Sequence, residues 1–194
     1  MKKIFLAAAL LFASFASASP AQPIFEEEVE EAVILPAPSS NLSVSSITRI
    51  FPWSRYKANF GMEKISVRFP CSPTISQGPT QLTASAYDYQ ILYNFIGYFP
   101  PIGNVAPRPY FDRILFDMSQ PPIALLSYTT YQTESGDWVL DYVAHDTFKN
   151  FIIKTRCVVT PFNAYTLQVV IPNGLRDHFE YFLESFRIHC ECQQ

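Results

Sequence analysis

The side chains with the widest chemical range in this chain are its four cysteines, Cys71, Cys157, Cys190 and Cys192. A thiol can form a disulfide, hold a soft metal or act as a nucleophile, and its surroundings decide which. The last two lie in His189-Cys190-Glu191-Cys192, where an imidazole, a carboxylate and two thiols fall within four positions. On an extended chain Cys190 and Cys192 point one way and His189 and Glu191 the other, so alternation splits these groups as metal ligands. The pair also lacks a helix N-terminus to lower a thiol pKa, which argues against redox chemistry. Cys71 and Cys157 fall on the apolar faces of segments that alternate like strands. The expectation is a structural disulfide joining Cys190 or Cys192 to Cys71 or Cys157, worth about 2–4 kcal/mol. Four cysteines allow three complete pairings, which sequence leaves open. Intermolecular bonds through the terminal pair are the alternative use.

No other residues form a reactive set. His145-Asp146 pairs an imidazole with a carboxylate, but adjacent strand residues point apart, and no serine lies in a nucleophile-elbow pattern. His178 reads as a flank residue of the last helix. The six glycines are scattered singly, without a phosphate-binding loop. No catalytic residue, metal site or cofactor is therefore assigned. The 11 tyrosines and 17 phenylalanines are dense around Tyr87, Tyr89, Tyr93, Tyr98 and Phe99, and again at Tyr128 and Tyr131. They read as sheet and core residues; an exposed cluster on one face would instead mark a binding groove.

The elements that must position these residues follow a leader. Lys2 and Lys3 precede an apolar run ending near Phe15, and Ala16-Ser17-Ala18 supplies small residues for cleavage. Residues 1–18 thus read as a signal peptide. The run is shorter than the roughly 20 residues a spanning helix needs. No transmembrane segment is expected after cleavage, and the address is the periplasm, the cell envelope or the exterior. Residues 19–51 read as a flexible acidic and proline-containing arm, with Glu26, Glu27, Glu28, Glu30 and Glu31 in one run. Beyond it acidic and basic residues balance, which argues against a nucleic-acid partner.

Residues 52–194 read as a single domain. Alternation marks strands in 64–71 (KISVRFPC), through 83–99, in 123–132, 138–145 and 148–160, and from Tyr165 to Ile171. Phe111, Ile114, Leu115 and Met118 repeat at helical spacing after Pro109, and Pro121-Pro122 stops that helix. Leu175, Phe179, Phe182, Leu183 and Phe186 predict a second helix of about three turns. The fold class expected is α+β, a central antiparallel sheet flanked by helices.

Four segments together resemble the PsbP-like (Mog1/PsbP) family as found in exported bacterial envelope proteins: ISVRFPCSP, FDRILFDM, AYTLQVVIPNG and FEYFLESFRI. Phe182, Ser185 and Phe186 match the family's terminal pattern and look like packing positions. The resemblance covers roughly residues 61–188 and implies the same helix-flanked sheet. It also implies an accessory or binding role without catalysis, with an unidentified envelope protein or a small ligand as partner. The alternatives are a disulfide-crosslinked envelope structural protein and an exported metal- or thiol-dependent enzyme.

Overall fold

Strand alternation accounts for most of the architecture. In SRYKANF and EKISVRF the buried side chains alternate, all of them apolar or aromatic but Glu63, and a two-residue turn at Gly61 (φ +63°) folds the segments into a hairpin. The computed structural model describes residues 23–24, 53–98 and 106–190, with the backbone alone at 23, 24 and 190. The hairpin strands are β2 (Ser54–Phe60) and β3 (Glu63–Phe69). β1 (Pro23–Ile24) pairs with β2 and β11 (Arg187–Cys190) with β3, giving a four-stranded antiparallel sheet in the order β1-β2-β3-β11.

The second sheet has seven antiparallel strands. These are β4 (Thr74–Gln77), β5 (Gln81–Asp88), β6 (Ile91–Tyr98), β7 (Ile123–Gln132), β8 (Trp138–Asp146), β9 (Phe151–Val159) and β10 (Ala164–Pro172). Their order is β4-β5-β6-β10-β9-β8-β7. Helix α1 (Pro107–Met118) carries the chain from β6 at the centre to β7 at the far edge, and α2 (Phe179–Ser185) links β10 to β11.

Two apolar layers result. Between the sheets, Tyr56, Phe60, Val67 and Phe69 of the small sheet meet Tyr93, Phe95, Tyr165 and Leu167 of the large one, closed by Phe182 and Leu183 of α2. The sheets approach so closely that a Cβ on Gly97 would lie 2.2 Å from the Phe60 ring; only glycine fits opposite that ring. On the other face, Tyr110 and Phe111 of α1 pack on Leu140, Tyr142, Ala144 and Cys157.

The α+β expectation of a helix-flanked sheet is corrected. The described residues are mostly strand, in two sheets, with only two helices. One face of the large sheet is covered mainly by the small sheet, where a helical layer was expected. The second helix is seven residues, not three turns. Leu175 is exposed and precedes it, and Phe186 turns extended (φ −73°, ψ 129°) so that the chain can pair with β3. β2 and β4 were not foreseen; the strands and turns from 123 to 172 and helix α1 lie close to expectation. The leader and nearly all of the arm lie outside the described residues. Within the arm, Pro23–Ile24 pair with β2.

Candidate anion-binding face

The alternation that buries one side of the small sheet exposes the other, and that side is basic. Register aligns its outward residues in three cross-strand rungs. Arg55 stands opposite Arg68. Lys57, Ser66 and Arg187 form the next rung, and Asn59, Lys64 and His189 the third. The first rung thus sets two guanidinium-bearing residues directly opposite each other.

Three of these guanidiniums converge on a cavity of about 290 Å³ lined by Arg55, Ser66, Arg68 and Arg187, with Tyr181, Glu184 and Ser185 of α2. The wall is held in place by specific bonds. Arg68 Nη1 donates to the Tyr181 hydroxyl at 3.0 Å, and the Tyr181 ring packs edge-on against Trp53 at 4.6 Å. The Arg68 backbone N–H donates to Ser185 Oγ at 2.9 Å, and that hydroxyl donates to the Phe182 carbonyl at 2.7 Å. Arg187 donates to the carbonyls of Glu184 and Phe186, the latter at 2.8 Å. Its positive charge thus sits at the C-terminal end of α2, where backbone carbonyls favour a cation. Guanidiniums suit planar hydrogen bonding to carboxylate or phosphate oxygens.

The cysteines form no comparable site. Cys71 and Cys157 are both free thiols. Cys71 is exposed beyond the end of β3, its Sγ 3.5 Å from the Tyr87 carbonyl oxygen, instead of on the apolar face. Cys157 lies under α1, 3.6 Å from Thr166 Oγ1, and burial pushes its thiol up to about 12. Of Cys190 only the backbone is described. Its Cα pairs with Glu63, at the end of β3 opposite the one that leads to Cys71. Cys157 faces α1, on the side of the large sheet away from β11. Cys192 lies outside the described residues.

His145 and Asp146 do not act as a pair. His145 Nε2 lies 3.1 Å from Asn150 Oδ1, while Asp146 Oδ1 accepts the backbone N–H groups of Phe148 and Lys149. His178 flanks α2 against Trp53, ring centroids 6.3 Å apart. Among the described residues no group of three or more His, Cys, Asp and Glu side chains is arranged to hold a metal. The tyrosines divide. Tyr93 is in the core and Tyr98 packs on the α1 layer. Tyr87 and Tyr89 are exposed near the β5–β6 turn, and Tyr128 and Tyr131 are exposed on β7, beyond the opposite side of the sheet. They make no single aromatic surface. Phe99 lies outside the described residues.

Arg55, Arg68 and Arg187 carry the site, and the sequence reading had not gathered them. Its only signal was the wet face of KISVRF, with Lys64, Ser66 and Arg68; the matching alternation in SRYKANF would have added Arg55 and Lys57. No protein-family model matches the chain, and no curated protein matches it. The resemblance to the PsbP-like family has only the quoted segments behind it, and the helix-flanked Mog1/PsbP sheet it implied is not the fold found.

Proposed function

We propose that this chain is an exported, non-enzymatic binding protein of the cell envelope, and that the basic face of its small sheet grips an anionic group on its partner. The observation that carries the reading is the convergence of Arg55, Arg68 and Arg187, from three neighbouring strands, on one cavity. A leader of signal type supports export. The described thiols offer no reactive pair: one is buried with its pKa raised, and the other stands alone.

The partner's carboxylates or phosphates would accept N–H···O bonds from the guanidiniums, each charge-assisted. Binding of this kind weakens with salt, because the Debye length falls to about 8 Å at physiological ionic strength. The test uses a hexaglutamate peptide as probe in calorimetric titration at low salt. Combining Arg55→Gln, Arg68→Gln and Arg187→Gln is expected to weaken binding at least about tenfold, at roughly 1.4 kcal/mol per tenfold. Equal affinity of the two proteins, or no binding by the unaltered one, overturns the reading.

A further inference from the structure

The outer strands of the two sheets are not alike. β4 has four residues, and β1 has two and begins with Pro23. β11 has four and carries Arg187 and His189. Short length, proline and charge are devices that keep a sheet edge from pairing with another chain. β7 has none of these. It runs ten residues, longer than any other described strand, and IALLSYTTYQ holds no charge and no proline. Among the described residues β8 is its one neighbour in the sheet.

The two halves of β7 also differ. Ile123 and Leu125 pack under α1. The register slips at Leu126, and from there to Gln132 every residue is exposed. The regular stretch 127–132 therefore presents its outer edge and both faces to water. Its bonds to β8 fix which backbone groups are on offer. The Thr133 N–H donates to the Asp137 carbonyl at 2.9 Å, closing the ladder at the turn. Along an antiparallel pair, residues alternate between facing the partner strand and facing away. Thr129 and Tyr131, in step with Thr133, thus turn their N–H and C=O groups towards β8. Tyr128, Thr130 and Gln132 turn theirs outward.

This edge is complementary to itself. About a two-fold axis at Thr130, an antiparallel copy sets Thr130 opposite Thr130, Tyr128 opposite Gln132 and Thr129 opposite Tyr131. All three outward residues are then matched, each opposed pair exchanging two N–H···O bonds. Threonine beside threonine and tyrosine beside threonine are favourable cross-strand neighbours. No charge lies in the stretch itself. Asp141 is the charged residue of β8 behind it, opposite Thr129, and two guanidinium nitrogens of Arg156 neutralise it at 2.7 and 2.8 Å. Two copies therefore meet here without like charges face to face.

We propose that β7 pairs antiparallel with β7 of a second copy about a two-fold axis at Thr130, joining two large sheets into one. The pairing does not depend on the anion-binding reading.

The tests use the full chain. Sedimentation equilibrium from about 1 μM to about 1 mM is expected to show a mass rising towards twice that of one chain. A single-chain mass throughout overturns the pairing. Thr130→Lys and Thr130→Glu each set like charges face to face, and each is expected to weaken the dimer at least about tenfold. An equal mixture of the two sets opposite charges together and is expected to restore it. Ser76→Lys, exposed on β4 at the other edge of the sheet, is expected to leave it unchanged. A dimer undiminished in Thr130→Lys, a mixture no heavier than either variant alone, or equal weakening by Ser76→Lys overturns the proposal. Amide hydrogen exchange checks the register without substitution. The N–H groups of Tyr128, Thr130 and Gln132 should slow as concentration rises, while those of Thr129 and Tyr131, already turned to β8, change little. Outward amides that exchange at the same rate at every concentration overturn it.

Discussion

Over β8, β9 and β10 the large sheet is buried on both faces, by α1 on one side and by the small sheet with α2 on the other. The small sheet buries only its inner face and turns Arg55, Lys57, Lys64, Arg68 and Arg187 outward. The same alternation serves both sheets, but its consequences differ. In the large sheet a substitution meets packed side chains on either side. On the outer face of the small sheet it meets water and charge. Stability is thus concentrated in the first region, and recognition in the second. The Tyr165 hydroxyl joins the two, donating to the buried Glu63 carboxylate at 2.7 Å, with Asn163 Nδ2 donating to the same oxygen at 2.6 Å.

The contrast is broken most forcefully by alkali. Burial raises the pKa of Tyr56, Tyr93, Tyr98, Tyr110, Tyr142 and Tyr165, Tyr98 to about 12, and that of Cys157 likewise to about 12. Each group is neutral in the fold where the unfolded chain would already ionise. Its contribution is intact below about pH 9–10 and declines as pH rises towards the folded value. The slope is about 1.4 kcal/mol per pH unit for each group. Denaturant midpoints should therefore hold steady from pH 7 to 9 and collapse above about pH 10. A midpoint unchanged at pH 11 would contradict the packing described for both layers.

Phe95→Ala comes next in size. The ring lies 6.1 Å from Phe60, 6.0 Å from Tyr165 and 6.2 Å from Tyr56, so its loss opens a void between the sheets. Chemical denaturation should show a loss of about 3–5 kcal/mol; less than about 1 kcal/mol would mean that the sheets are not packed through this ring. The smallest effect belongs to the outer face. Arg55→Gln removes a cation from the outward side of β2, and stability should stay within about 0.5 kcal/mol of the unaltered chain. A large loss there would erase the distinction between the two regions.

Much of the large sheet was legible because its signals are local. Tyr165, Leu167, Val169 and Ile171 alternate without interruption and are all buried. Pro121-Pro122 and Ser135-Gly136 punctuate the chain where α1 ends and β7 turns into β8. The small sheet was legible only in part, because its strands come from positions 23, 54, 63 and 187, and no periodicity reports pairing across such distances. Phe179, Phe182, Leu183 and Phe186 repeat as a helix would, yet pairing of β11 with β3 ends that helix at Ser185. The site failed to show for a related reason. Summed charges beyond the acidic run balance, so the sequence looks neutral, while register sorts cations onto one face.

The most direct test of the account sets one group of cations against another. Three exposed cations elsewhere, Arg113, Lys149 and Arg176, are replaced by Gln in one protein. Arg55, Arg68 and Arg187 are replaced in a second, so that both lose the same formal charge. Hexaglutamate is titrated into each at low salt. The account predicts that the first binds within about twofold of the unaltered chain and the second at least about tenfold more weakly, a gap of roughly 1 kcal/mol or more. Equal weakening in both would mean that net charge alone attracts the probe, and would contradict a site on the small sheet.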